Sequence, residues 1–570
     1  MQSDCVALAG YPGPLFKAVE RILSAKGIGV RSLTPDAAAD PAIWSGTSRL
    51  IVFPFHAGLG RKRTREWNND LDRLKQLLQD ACRAGVKRVV LRSHAIAHGS
   101  SMKNPGLLGE MRPSLLPKKA FERRWIRAEE TMWSVCKPAG VPAVALRLTT
   151  ILHQEEGDFV THLLTRGVAF PLAGYDPTVQ FLSLDDAAEA LASAALSEAT
   201  GIFNIAGDGV VSFRRALRAA VTVRIPAGQL LQRSVRNLLW KTGVAGFPGE
   251  SIEQIRYNWT VLGDRARYEL GFSPRLSSAQ ALREFLQSSG KSSGKIQDHF
   301  DEYGLDPEYL DHFKVWFDFL RKTYWRVEAE GLENVPAAGA ALLVSNHRGF
   351  MPFDGVMHRT AVLEATNRQI RFLVIPSLFK FPFLSDFLIK QGGVVASQES
   401  ARRLFQRQEL VGIFPEGIAG AFRMYKGAYK LGEFGKNVFA KMAIENQVPI
   451  VPAATIGHVE IFPILARVNW SAMTRWNGWP YLPITPTFPL LPLPLPSKWH
   501  IRYLPSVSTG DLRPEDARNS RKVDEFSRYV QNLIQRNVDE MLSRRKHIFF
   551  GNIFDSSRAG VPSAAAGERQ

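Results

Sequence analysis

Three short apolar runs, each leading straight into a turn that carries polar chemistry, constrain this chain more than any other feature. The first, Ala341-Leu342-Leu343-Val344, passes into Ser345-Asn346-His347-Arg348-Gly349-Phe350-Met351-Pro352-Phe353-Asp354. The second, Val411-Gly412-Ile413, ends in Phe414-Pro415-Glu416-Gly417; the third is Val448-Pro449-Ile450-Val451-Pro452-Ala453-Ala454. Apolar runs this short, punctuated by glycine and proline, read as buried strands. On an α/β scaffold, sites lie where the strands end. A histidine and an acid are thus expected at one strand exit and a glutamate at another.

A hydroxyl is a poor nucleophile near neutral pH because its proton is held too tightly. A positioned imidazole can take that proton as attack begins, a contribution of roughly 10²–10⁴-fold. A carboxylate on the other ring nitrogen fixes the tautomer and stabilises the imidazolium that forms. His347 reads as such a base and Asp354 as its orienting partner; the alternative is a strand-end histidine beside a helix-capping acid. Gly349 and Pro352 exclude one continuous helix between them, so His347 belongs to a loop and Asp354 opens the helix that follows.

In this order, the Asn-His…Asp, Phe-Pro-Glu-Gly and Val-Pro-Ile-Val-Pro motifs resemble those of the glycerolipid acyltransferase family, the 1-acylglycerol-3-phosphate O-acyltransferase type among them. Six residues separate His347 from Asp354 where the commonest form of the motif has four. That longer spacer, with a proline before the acid, is similar to the branch of monoacylglycerol and diacylglycerol acyltransferase-like proteins. The resemblance implies transfer of a fatty acyl group from acyl-coenzyme A or acyl carrier protein, as co-substrate, directly to a glycerolipid hydroxyl. No acyl-enzyme, further cofactor or metal is implied. It assigns catalysis to His347 and Asp354. Substrate binding falls to Asn346, Phe414, Pro415, Glu416, Gly417, Arg423, Lys426 and Lys380, with Glu416 accepting hydrogen bonds from the acceptor's hydroxyls and the Gly417 N–H in reach of the oxyanion. Many phosphate-using relatives carry an arginine two residues after the glycine; here Ala419 stands there and Arg423 comes four later. The acceptor is therefore left open between a lysophosphatidate and a mono- or diacylglycerol.

At 570 residues the chain is long enough for two or more domains at roughly 150 residues each. Lys plus Arg number 72 against 54 Asp plus Glu, a formal charge of +18. A basic surface favours polyanions, among them anionic lipid head groups and coenzyme A thioesters. With no basic low-complexity tail and no zinc-type Cys/His spacing, nucleic acid is not an expected partner. Cys5, Cys82 and Cys136 are scattered and odd in number, which points to a reducing cytoplasm rather than a disulfide framework. The start of the chain has no secretory pattern and no run is long enough to span a bilayer. The expected location is cytoplasmic, peripheral on the inner face of a membrane.

The first half opens with Val6-Ala7-Leu8-Ala9, then Gly10-Tyr11-Pro12-Gly13-Pro14-Leu15-Phe16, then helix-spaced Leu15, Val19, Ile22 and Leu23. Further strands at Leu50-Ile51-Val52-Phe53 and Val89-Val90-Leu91 alternate with helices, the pattern of a Rossmann-like doubly wound parallel sheet. Strand, glycine turn and helix form the opening of a dinucleotide-binding unit, with Gly10 and Gly13 as its cofactor-binding glycines and Phe16 where a third would allow close packing. Lys87-Arg88-Val89-Val90-Leu91-Arg92-Ser93, Val144-Ala145-Leu146-Arg147-Leu148, Phe181-Leu182-Ser183-Leu184-Asp185-Asp186 and Gly201-Ile202-Phe203-Asn204-Ile205-Ala206-Gly207 resemble the extended short-chain dehydrogenase/epimerase family. That family's tyrosine and lysine, four residues apart before a helical glutamate, are replaced by Phe121 and Trp125 counting back from Glu129. No acid closes the second strand; Asp36 comes late. This half reads as a degenerate, non-catalytic domain with NAD(P) binding left open. The alternative is a bifunctional protein whose first half is an active oxidoreductase or epimerase, and a non-enzymatic membrane scaffold is a third reading.

The expected division is 1–286 for the dehydrogenase-like domain, 287–298 for a polar linker, 299–550 for an α/β glycerolipid acyltransferase domain and 551–570 for a disordered tail. Within the second half, Tyr309, Leu310, Phe313, Trp316, Phe317 and Leu320 repeat at helical spacing among basic residues. They read either as an interfacial helix or as a core helix. The proline-broken stretch from Trp476 to Pro496 reads either as a loop dipping into the interface or as a buried connector. Lys380 meets substrate phosphate or snorkels at the surface. A closing amphipathic helix is expected over Val523, Phe526, Tyr529, Val530, Leu533, Ile534, Val538 and Met541.

Overall fold

A computed structural model describes residues 5–33, 41–55, 61–110, 119–156, 158–242, 247–291, 296, 300–349, 351–471, 479–490 and 493–554. The chain divides into two compact units: Met1–Asp306 with Phe381–Ile389, and Pro307–Lys380 with Lys390–Gln570. The first unit thus runs past the serine-rich stretch at 287–298, half of which, like Asp36, the segment 472–478 and the tail from 555, lies outside the described residues.

The first unit is built on six parallel strands: β1 (Cys5–Gly10), β2 (Gly29–Leu33), β3 (Thr47–Phe53), β4 (Arg88–His94), β5 (Ala143–Leu148) and β6 (Gly201–Ile205), in the order β6-β5-β4-β3-β1-β2. Successive side chains of a strand point to opposite faces, and here both faces are covered. Ala7, Leu50, Val89 and Ala145 pack under the helices α2 (Arg61–Arg83) and α3 (Ala120–Cys136). Val6, Leu8, Ile51, Val90 and Val144 pack under α1 (Pro14–Ala25) and α4 (Leu184–Leu196). Strands buried on both sides read as unbroken apolar runs, which is why they stand out in the sequence. The order reverses between β2 and β3 around β1, so the turn from β1 into α1 lies at the switch point of the sheet.

The second unit opens with the helix α5 (Pro307–Asp318) and holds a mixed seven-stranded sheet in the order β7-β13-β12-β8-β11-β9-β10. These strands are β7 (Glu328–Glu330), β8 (Ala341–Ser345), β9 (Ile370–Val374), β10 (Val394–Val395), β11 (Leu410–Ile413), β12 (Ile450–Ile456) and β13 (His500–Tyr503). The three apolar runs of the sequence are β8, β11 and β12, adjacent and parallel at the centre, with Leu342 in register with both Val411 and Ile450. Their carboxyl ends therefore open on the same edge. The helix α6 (Phe353–Thr366) follows the first of the three turns and stops where Asn367 turns left-handed at φ +55°. The closing helix α7 (Ser520–Arg544) buries Val523, Val530, Ile534, Val538 and Met541, the expected stripe, and leaves Tyr529 exposed. Among the described residues no helix is long and apolar enough to cross a membrane.

Candidate active site

His347 leaves β8 two residues past its end, and Asp354 sits in the first turn of α6. Nδ1 of His347 lies 2.5 Å from Oδ2 of Asp354, and the same carboxylate accepts from the backbone N–H groups of Arg348 (3.4 Å) and Gly355 (3.0 Å). The acid is buried; the imidazole keeps 16% of its side chain exposed. An anion in the first turn of a helix is also favoured by the helix dipole. The six-residue spacer thus brings base and acid together through a bend. Phe414, at the exit of β11, stacks on the His347 ring at 4.7 Å and on Phe372 at 5.1 Å. Among the described residues the second ring nitrogen, Nε2, makes no hydrogen bond, while Asp354 and the Phe414 stack fix the ring.

Glu416, expected to accept from the acceptor's hydroxyls, is held by partners inside the protein. Its carboxylate accepts from Nη1 of Arg348 at 2.9 and 2.6 Å and from the Gly432 N–H at 3.0 Å, and its side chain is 1% exposed. Asn346 is likewise engaged inside the protein. Its Oδ1 accepts from the Thr455 N–H (2.8 Å) and its Nδ2 donates to the Thr455 carbonyl (2.9 Å), which extends the β8–β12 ladder by a side chain. The Gly417 N–H, expected near the oxyanion, donates to the Phe414 carbonyl (3.0 Å). Pro415 shapes that turn, and its carbonyl accepts from Gly435. Arg423 donates to the Lys430 carbonyl, Lys426 is exposed on the same loop, and Lys380 closes a short 3₁₀ turn, half-buried.

Arg348 is the residue that sequence reasoning missed. Besides Glu416 its guanidinium donates to the carbonyls of His347 (2.6 Å), Ala428 and Lys430 (2.9 Å). One buried cation thereby joins the histidine turn, the Phe-Pro-Glu-Gly turn and the loop after it. Burial pulls its pKa below the usual guanidinium value, against the attraction of Glu416. Its position between His347 and a glycine at a strand exit was a usable signal. Behind the site His358 bonds Tyr503 and Ser345, each at 3.1 Å, and Thr455 at 3.1 Å. Burial holds its pKa at about 4, so the ring is neutral there. Four residues after Asp354, His358 shares its helix face, the spacing that could have revealed it.

In the first unit, Gly10 and Gly13 flank the turn into α1, and Phe16 packs against Phe53 at 5.2 Å. Phe121 and Trp125 are buried, with Arg92 and Arg124 over the Trp125 ring. Ser93 donates to Glu129 at 2.5 Å, and Arg147 grips the same carboxylate at 2.9 and 2.6 Å.

The fold and geometry of the second unit define the class: residues 326–456, which hold His347, Asp354 and Glu416, match the acyltransferase family model. The chain belongs to one family with mycobacterial proteins that include ML2427 of Mycobacterium leprae, 37% identical over 258 residues that cover 44% of this chain and 70% of that protein. Rv0502 of Mycobacterium tuberculosis is 37% identical, with 72% of its length covered, and Rv0501 is 27% identical over 211 residues, 36% of this chain and 55% of that one. Half of the chain also aligns with the UDP-glucose 4-epimerase of Thermotoga maritima, solved with UDP-glucose, at 15% identity and a TM-score of 0.40, covering 99% of that chain. The doubly wound sheet described above, not that similarity, carries the assignment of the first unit.

Proposed function

We propose that the second unit moves a fatty acyl group from the thioester of acyl-coenzyme A or acyl carrier protein to a hydroxyl of a glycerolipid, of the lysophosphatidate or mono/diacylglycerol kind. One observation carries this reading: within an acyltransferase domain, a partly exposed imidazole has one nitrogen tied to a buried carboxylate and, among the described residues, no hydrogen bond on the other. Nε2 of His347 takes the acceptor's proton while the oxygen attacks the thioester carbon. The C–S bond then breaks, the ester C–O bond remains, and the proton passes from the imidazolium to the departing thiolate. Asp354 keeps Nδ1 as the donor and stabilises the transient cation. Glu416 acts through Arg348, holding the turn that carries Phe414 against the ring. Arg423, Lys426 and Lys380 supply cations for the phosphates of the donor.

A lipid acceptor has to be met at a bilayer, and the exposed apolar side chains of this unit suit one. Val315, Trp316 and Phe319 stand out on or just after α5, beside exposed Lys314 and Lys322, while Leu310, Phe317 and Leu320 face the core. Trp316 packs on Phe319 and Phe319 on Tyr324, whose hydroxyl donates to the Pro494 carbonyl at 2.8 Å, next to exposed Leu493. An apolar band with a basic margin is the composition of a peripheral contact on anionic lipid, such as the inner face of a membrane. The test is purified protein given acyl-coenzyme A with lysophosphatidate, monoacylglycerol or diacylglycerol in vesicles, with products identified by mass spectrometry. A lipid one acyl chain heavier, formed with only some of these acceptors, supports the reading. Thioester hydrolysis without any acylated lipid refutes it.

A further inference from the structure

The turn from β1 into α1 is where a doubly wound sheet of this kind takes a dinucleotide. The pyrophosphate rests on the first N–H groups of the helix, and the second glycine of the turn lets the backbone approach it. In this chain a carboxylate of the protein is already there. Oε1 of Glu156 accepts the N–H of Leu15 at 3.1 Å, although 141 positions separate the two residues. Pro14 has no N–H, so Leu15 offers the first donor inside the helix. The glycine leaves room for the same guest: a Cβ on Gly13 would stand 2.3 Å from Glu156 Oε1, so the carboxylate would have to shift from its place. Glu156 is 8% exposed, and no acid in the first turn of α1 and no side chain at its N-cap otherwise balances this helix end.

The surroundings agree with that placement. Burial pulls the Arg92 guanidinium below its usual value, against the attraction of Glu156 and Asp158, and the group is stacked on Trp125, so carboxylates of the chain itself already face this cation. Asp158 bonds the Thr150 hydroxyl at 2.6 Å and lies 3.2 Å from Nε2 of His94. A phosphate arriving at the N-terminus of α1 would have to displace a buried carboxylate and leave it near its own negative charge, which buried anions tolerate poorly. The residues present therefore do not fit the dinucleotide that the sheet topology would otherwise receive.

We propose that Glu156 is a built-in substitute for the dinucleotide's pyrophosphate, capping α1 from within, so that the first unit binds neither NAD nor NADP. This inference is independent of the acyl-transfer reading, because it concerns only residues of the first unit. It is tested on the full chain in two ways. Titration of the wild type with NAD⁺, NADP⁺, NADH and NADPH to millimolar concentration, followed by calorimetry and nicotinamide fluorescence, should give no saturable binding. Hydrogen exchange of the peptide spanning Leu15 and Phe16 should be slow in the wild type and faster by tenfold or more in Glu156→Ala. Inorganic pyrophosphate should slow it again in that variant only, and Glu156→Gln, which keeps an acceptor oxygen, should fall between the two. Saturable cofactor binding by the wild type overturns the proposal. So does a Glu156→Ala protein with unchanged exchange, or one whose fast exchange pyrophosphate leaves untouched. If the alanine variant fails to fold, Glu156→Gln under the same probe and the wild-type titration still decide it.

Discussion

Arg348 and Glu416 form a buried pair in which each is the other's main partner, and a buried charge that loses its partner is costly. Replacing Glu416 by glutamine should therefore lower the stability of the second unit by roughly 3–5 kcal/mol, read by chemical denaturation. Replacing Arg348 and Glu416 together by apolar residues of similar volume should recover part of that loss. A loss in the double variant equal to the sum of the losses from replacing Arg348 and Glu416 singly would show that the pair is not coupled. The two sites behave differently towards sequence reading because of where their partners lie. His347 and Asp354 were legible as a pair because their chemistry and their spacing sit in one short stretch. Glu416 was legible as a site residue but not in its internal partners. Its partners, Arg348 and the Gly432 N–H, come from other segments, and only the sheet brings them together. Glu156, 141 positions from the helix it caps, left no trace in the local pattern.

Among the elements, β8 is the one on which the site is assembled, and Asn346 fastens its exit to β12. An Asn346→Asp change keeps the acceptor for the Thr455 N–H but sets an anion against the Thr455 carbonyl, with no donor. Loss of one buried hydrogen bond with an acceptor left unsatisfied costs about 1–3 kcal/mol. The variant should show that loss in denaturation, together with reduced acyl transfer. Unaltered stability would mean that the side-chain ladder contributes nothing. The central strands were readable because burial on both faces makes them continuous apolar runs. The helix α5 was less so: its aromatic stripe divides, Phe317 going into the core and Trp316 to the surface, which helical spacing alone did not resolve. A Trp316→Ala, Phe319→Ala protein should float less with anionic vesicles while keeping its far-ultraviolet circular dichroism. Full flotation would remove this face from the proposed membrane contact.

For the molecule as a whole, acid stability depends on buried neutral histidines, among them His162, His458, His500 and His358 behind the site. His358 has a folded pKa of about 4, set by burial and opposed by Asp354, against about 6.5 when unfolded. Between those values the unfolded chain binds the extra proton, so stability rises with pH across the window and falls as pH drops from 6.5 towards 4. His358's share of that loss is on the order of 3 kcal/mol and should appear in denaturation midpoints measured across that range. His358→Asn should flatten the slope, and an unchanged slope would place the proton elsewhere. The doubly wound sheet of the first unit was readable from alternating strands and helices, and its glycine turn pointed to a cofactor. The structure keeps the sheet and gives the turn to a carboxylate. On the proposal made for Glu156, architecture and ligand part here, because the sheet depends on many apolar positions and the phosphate site on a few polar ones.

The claim on which the account rests is that His347, oriented by Asp354, activates the acceptor hydroxyl. It is tested most directly by acceptor-dependent release of coenzyme A thiol from acyl-coenzyme A by the wild type, His347→Ala, Asp354→Asn and the double variant. The account predicts that His347→Ala lowers the rate by roughly 10²–10⁴-fold and that adding Asp354→Asn to it lowers the rate little further, because the two residues act as a unit. A His347→Ala protein that retains the wild-type rate, with the acceptor still required, would contradict it.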